Sequence, residues 1–258
     1  MPLIAYAEDG SEVESFDVPA DVWRTWRALP VGAFKVGPYR WPAVLKRSPL
    51  GLQFFAHAPG CEATTEPETI YHQLAKIGLV RGLRAAGIPA RLEVAGSTPD
   101  GSAWQADVLA QIGGRTTALE VQWSHQHWDE YSLRTERYAA SGVDCIWVAR
   151  ASQRNAIYTH RAKYWVQLGH PRNTITIGRG LFDMPMVWID SPKTPTSPGD
   201  LRIQSFLHDG AVWVTPEQFS GGLARGAFHY APGKFGSEDW RFDPAVAGII
   251  PAGHLPKT

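Results

Sequence analysis

A mixed α/β fold follows from three stretches of this 258-residue chain. Residues 66–86, "EPETIYHQLAKIGLVRGLRAA", place Ile70, Leu74, Ile77, Val80 (or Leu79) and Leu83 at intervals of three or four, the spacing of one helical face. Pro67 suits a first turn and Gly87 a stop. Next come "ARLEVAG", "AWQADVLAQIGG" and "RTTALEVQWS", strand candidates separated by Gly, Pro and Asp, whose short turns predict an antiparallel meander. The third stretch, "HWDEYSLRTERYAASG", reads as a helix closed by Gly142. It is followed by "VDCIWVAR", an apolar, β-branched run typical of a strand buried on both faces. The order helix, three strands, helix, strand is that of a mixed α/β layer.

Ahead of this core, "LIAYAEDGSEVESF" predicts a hairpin around Asp9-Gly10, because the turn needs positive φ. "VPADVWRTWRAL" predicts a short helix, and the Gly- and Pro-punctuated residues 31–57 a few short strands. Residues 1–60 therefore read as a small β-rich module, and 61–183 as the core with a basic stretch. Residues 184–258 read as a C-terminal β-rich extension suited to covering a sheet edge or forming a homo-oligomer. "TITIG", "MVWID" and "AVWVT" are strand candidates after Arg150, and "DSPKTPTSPGD" is a turn-rich loop.

With 44% hydrophobic residues the chain can build a sizeable core. Its formal charge of +0, from 25 basic and 25 acidic residues, gives no global field toward nucleic acid or membrane, so such attraction must come from local patches. Cys61 and Cys145 form no CxxC pair, which fits a reducing compartment and predicts a cytoplasmic address. "MPLIAYAEDG" lacks the basic flank and apolar run of a signal peptide, and no apolar stretch approaches the roughly 18 residues of a membrane helix.

Two of the strand candidates each carry one acid, Asp107 in "ADVLA" and Glu120 in "ALEVQ". Alternation places Glu120 with Gln122 on one face and Leu119 with Val121 on the other, and pairing through the "IGGR" turn brings Asp107 to the Glu120 face. Like charges in a half-buried site repel unless a cation lies between them. A hard divalent ion, Mg2+ or Mn2+, satisfies such a pair. The alternative is a solvated face with each acid paired to an arginine. Glu93 in "RLEVAG" is either a third carboxylate or a plain surface acid.

This region resembles the PD-(D/E)XK nuclease superfamily and, more narrowly, the CoiA-like competence family. The matching pieces between residues 54 and 149 are "FFAH", "EPETIYHQLAK", "QADVLA", "ALEVQWS" and "RTERYAASGVDCIWV", in that order. The resemblance implies a restriction-endonuclease-like α-β-β-β-α-β core with Asp107 and Glu120 as metal ligands. It puts Gln122 where most of the superfamily has lysine, which leaves neutral hydrogen bonds to orient water or phosphate. Glu68 and His72, four residues apart, match acid and histidine positions on the first helix, so both are candidate catalytic residues. A first-turn acid and a satisfied histidine are their structural alternatives. Arg134, Arg137 and Tyr138 match the family's RTxxY helix, and Ser124 continues the Glu120 face; a structural salt bridge and an ordinary strand-end serine are the alternatives there. The chain keeps "FFAH" without the cysteine pairs that commonly precede it in the family. His125, His127 and Cys61 do not by themselves make a zinc ligand set.

Between Asp144 and Asp183 no acid occurs, while Arg150, Arg154, Arg161, Lys163, Arg172 and Arg179 alternate with Tyr158, Tyr164 and Trp165. That composition suits phosphate contact and base stacking. Its alternative is a solvated basic helix with aromatic core contacts. The expected function is a divalent-metal-dependent nuclease acting on DNA in uptake, recombination or processing. Ser124, Arg134, Tyr138, Arg154, Arg161 and Lys163 are the candidate nucleic-acid contacts. Two rivals are an accessory protein that binds nucleic acid on a nuclease-like fold without cleaving it, and an interaction module whose acids are surface residues.

Overall fold

A computed structural model describes residues 1–61, 68–169, 184–207, 210–232 and 238–242. The amino-terminal part is an antiparallel sheet of β1 (Ile4–Ala7), β2 (Glu12–Glu14), β3 (Phe34–Val36), β4 (Trp41–Arg47) and β5 (Gln53–His57), ordered β2-β1-β3-β4-β5. Gly10, at φ +83°, makes the expected turn between β1 and β2. The helix α1 (Ala20–Trp26) lays Trp23 against Phe55, ring centroids 5.1 Å apart, over this sheet.

The core follows the expected order: α2 (Ile70–Ala85), β6 (Ala90–Ser97), β7 (Ala103–Ile112), β8 (Arg115–Gln122), α3 (Trp128–Ala140) and β9 (Asp144–Arg150). β6, β7 and β8 form the antiparallel meander, closed between the last two by Gly113 and Gly114, both at positive φ. β9 pairs parallel to β8, which requires a crossover, and α3 supplies it. The chain continues through α4 (Arg154–Gln167) to β10 (Met186–Asp190), again parallel, and then antiparallel to β11 (Arg202–Leu207) and β12 (Gly210–Val214). The result is one seven-stranded sheet, ordered β12-β11-β10-β9-β8-β7-β6. After it come α5 (Pro216–Ala224) and a hairpin of β13 (Phe228–Pro232) and β14 (Glu238–Phe242).

β9 is buried on both faces. Val148 joins the cluster with Leu74, Val80 and Leu83 of α2, while Trp147 and Ala149 join the one with Tyr131 and Tyr138 of α3. The sheet thus lies between α2 with α5 on one side and α3 with α4 on the other.

Three expectations change. The helix α2 begins at Ile70, with Thr69 as N-cap accepting from the His72 N–H at 3.3 Å; Glu68 therefore precedes the helix, and Pro67 lies outside the described residues. α2 is also not a helix with one wet face: from Gln73 to Leu83 only Arg81 escapes burial, because α5 packs on the side away from the sheet. Thirdly, β10 to β12 prolong the core's own sheet across position 183, with "MVWID" and most of "AVWVT" as two of those strands. "TITIG" lies outside the described residues. No described helix is long and apolar enough to cross a membrane.

Candidate metal centre and cleft

Pairing of β7 with β8 is regular from Ile112 opposite Arg115 up to Val108 opposite Leu119, and there the register ends. Backbone N–H groups beyond that point need other acceptors. The two acids supply them: Asp107 Oδ2 accepts from Val121 N–H at 2.8 Å, and Glu120 Oε1 accepts from Asp107 N–H at 3.3 Å. On the other side of β7 the register with β6 skips Glu93, a non-glycine residue in the left-handed region at φ +54°. The carboxylates stand where a three-strand ladder opens.

From the opening the two side chains take different partners. The Asp107 carboxylate meets α2, with Oδ2 3.1 Å from His72 Nε2 and Oδ1 3.8 Å from Lys76 Nζ. Burial works to raise its pKa, but His72, Lys76 and the Val121 N–H outweigh burial and hold it below the ordinary carboxylate range. Glu120, with no exposed surface, meets α3 instead, accepting from Arg134 and from the Tyr138 hydroxyl. Burial first, then the charge of Asp107, pushes its pKa up in spite of those two donors. The expected convergence of Asp107 and Glu120 on one point is therefore replaced by a division: one acid faces the α2 layer, the other the α3 layer.

Among the described residues, the group able to offer a metal one ligand atom each within 4.8 Å is Glu68, His72 and Asp107. Its two carboxylates and one imidazole suit Mn2+ as well as Mg2+. Behind it lies Lys76, a residue that sequence reasoning missed. Its Nζ is fully buried, 2.9 Å from Glu93 Oε1 and 3.2 Å from Glu68 Oε2. Burial alone would lower the Lys76 pKa, but Glu93, Asp107 and Glu68 together raise it, so the ammonium is retained. A signal was present: Lys76 interrupts the apolar run "LAKIG" one helical turn after His72. Glu93 is neither metal-group member nor surface acid; it accepts from the Leu3 N–H at 2.9 Å and the Ile4 N–H at 3.3 Å and is only 10% exposed.

Glu68 and His72 form one wall of a cleft of about 570 Å³, and Gln122, Ser124, Arg134 and Arg137 line it from β8 and α3. It opens at the carboxyl end of β8, where open α/β sheets bind their ligands. The Gln122 carboxamide donates to the Ser124 carbonyl at 3.0 Å and to its hydroxyl at 3.2 Å. The structure thus gathers Glu68, His72, Gln122, Ser124 and Arg134 around one space, with Asp107 behind His72 and Glu120 and Tyr138 beneath Arg134.

The basic stretch is less uniform than its composition suggests. Lys163 is exposed, but Arg161 is 6% exposed with its guanidinium 5.6 Å from the Trp128 ring centroid, which corrects its reading as a phosphate contact. Arg154 stacks near Tyr158 and Trp188, at 5.8 and 5.6 Å. Arg172, Arg179 and the Trp165 side chain lie outside the described residues.

A sheet of this order, with an acid on each of two strands where their pairing opens and a cleft at the crossover, is a mixed α/β domain with a candidate binding site. Residues 68–168 match the family model described as "Competence protein CoiA, nuclease-like domain", and this part of the chain is similar to that family. No curated protein and no solved structure matches the chain.

Proposed function

We propose that this domain hydrolyses phosphodiesters of nucleic acid, DNA in the first place, with Mg2+ or Mn2+ held by Glu68, His72 and Asp107. The observation that carries this reading is the meeting of Glu68 and His72, two members of that ligand group, with Gln122, Ser124, Arg134 and Arg137 around one cleft, with Asp107 behind His72. The side chains Glu68, Glu93 and Asp107 carry three negative charges against those of Lys76 and of the Met1 ammonium, 3.7 Å from Glu68 Oε2, an excess of negative charge that a cation would offset. Such an ion, when bound, polarises a phosphoryl oxygen and acidifies its own water. Arg134 and Arg137 receive phosphate oxygens, and Ser124 adds a hydroxyl donor. Gln122, released from Ser124, orients the attacking water through a neutral hydrogen bond. Lys76 has no exposed surface, so it acts by fixing Asp107 and Glu68 rather than by touching substrate.

Mn2+ titration by calorimetry and cleavage of single- and double-stranded DNA and RNA test this reading. Asp107→Asn and Glu68→Gln should each remove metal affinity and cleavage. Gln122→Ala should keep the metal and lose about 10²-fold in turnover, the typical cost of one orienting hydrogen bond.

The second reading, a nucleic-acid-binding accessory protein without cleavage, is favoured by one observation: Glu120 is fully buried and engaged by Arg134 and Tyr138 rather than placed in the metal group. It predicts nucleic-acid binding that neither Mn2+ nor Asp107→Asn alters, and no cleavage.

A further inference from the structure

We propose a second metal site, for a borderline transition ion such as Zn2+ or Co2+, built from His125, His127 and His160. The first two lie in the segment between β8 and α3, and the third comes from α4. The three rings form a nearly equilateral triangle, with centroids 5.2 Å apart for His125 and His127, 5.3 Å for His125 and His160, and 5.0 Å for His127 and His160. Imidazoles bound tetrahedrally to one ion at Zn–N of about 2.0–2.1 Å have centroids about 5 Å apart, so the triangle has the size such a site requires.

Sequence alone shows only the pair His125 and His127; folding of α4 across α3 brings in the third ring. His160 is half-buried, and its Nδ1 is shielded from solvent without a hydrogen-bond partner, an atom that a ligand would satisfy. The surroundings act on it as positive charge would: burial, then His127, His125 and Lys163, lower its pKa, and Asp129 opposes them. A neutral imidazole is the form that binds metal. In the present rotamers the nitrogens do not all aim at one point, since the ligand atoms that fall within 4.8 Å of one another belong to Glu68, His72 and Asp107. His125 and His127 are exposed, and the broad, two-fold χ2 preference of histidine lets both rings turn toward the shared centre. Water, or the exposed Asp129 carboxylate, completes the shell.

The two sites would select different ions. An all-imidazole set prefers Zn2+, Co2+, Ni2+ or Cu2+, whereas the carboxylate-rich group around Asp107 suits Mg2+ or Mn2+. An ion on the triangle would also tie α4 to the segment carrying His125, which lines the cleft.

The test is titration of the full chain with Zn2+ and with Co2+, the latter followed by its ligand-field absorption, on the wild type, His160→Ala, His127→Ala and Asp107→Asn, with circular dichroism as the control for folding. The expected result is a tetrahedral Co2+ spectrum in the wild type and in Asp107→Asn, with affinity lowered at least about tenfold in each histidine variant because one of three protein donors is gone. The proposal is overturned if the wild type binds neither ion, or if the exposed variant His127→Ala, folded as the wild type, keeps its full affinity. It is likewise overturned if Asp107→Asn abolishes binding, which would place the ion at the carboxylate group.

Discussion

At the scale of single residues the buried ammonium of Lys76 decides how three acids share a small volume. Removing it as Lys76→Met leaves Glu93, Glu68 and Asp107 without the buried ammonium they share. The expected cost is about 3–5 kcal/mol, read from urea denaturation. Asp107 and Glu120 should give stability opposite responses to pH. Because folding lowers the Asp107 pKa, its ionised form contributes stability above its ordinary value of 3.8, and this is lost as pH falls through the depressed value. Because folding raises the Glu120 pKa, its contribution is fully present below the ordinary value of 4.5 and is lost as pH rises through the raised one. The stability advantage of wild type over Glu120→Gln should therefore shrink from pH 4.5 upward, whereas its advantage over Asp107→Asn should grow as pH rises through the acid range; denaturation at a series of pH values checks both. Sequence made both acids visible, since a carboxylate in an apolar run is conspicuous. It did not show that they turn to opposite layers. That depends on where the ladder of β7 with β8 ends and on the positive φ of Glu93, and strict alternation of side chains predicts neither.

At the scale of elements, α2 and α5 pack backbone against backbone at Gly82. A Cβ on Gly82 would lie 2.0 Å from the Glu217 carbonyl oxygen, and one on Gly78 would lie 2.8 Å from Pro216 Cβ. Gly82→Ala gains about 1 kcal/mol in helix propensity but must push a helix aside, and overpacking of this kind costs about 1–3 kcal/mol. A net loss of stability in urea denaturation is expected, with little change in helix content. The elements of the core were legible because their hydrophobic periods and glycine stops are strong: the meander, α3 and β9 stand where the pattern puts them, and α2 does so apart from its later start at Ile70. The α2–α5 contact was not. Two glycines one turn apart, Gly78 and Gly82, were its only trace, and the residues that fill the space they leave are more than a hundred positions downstream.

At the scale of the whole molecule, the neutral net charge means that the proposed nucleic-acid binding would have to rest on local basic groups such as the arginines of the cleft. Arg137→Gln, at its wall, should lower the slope of log affinity against log salt on duplex DNA by about 0.9, one phosphate contact. Arg161→Gln should leave that slope unchanged and weaken the packing of α4 on Trp128. Glu93 is one of the joints between the amino-terminal sheet and the seven-stranded sheet: it holds the Leu3 and Ile4 amides with the same carboxylate that grips Lys76. Lys76 in turn faces the acids that would take up an ion. A divalent charge held at Asp107 and Glu68 would weaken the pull of those acids on that ammonium and so would alter how firmly Glu93 holds the first strand. If the proposed site takes up Mn2+, hydrogen exchange at the Leu3 and Ile4 amides, which Glu93 holds, should respond to it. By reciprocity, Glu93→Gln should change Mn2+ affinity without removing a ligand.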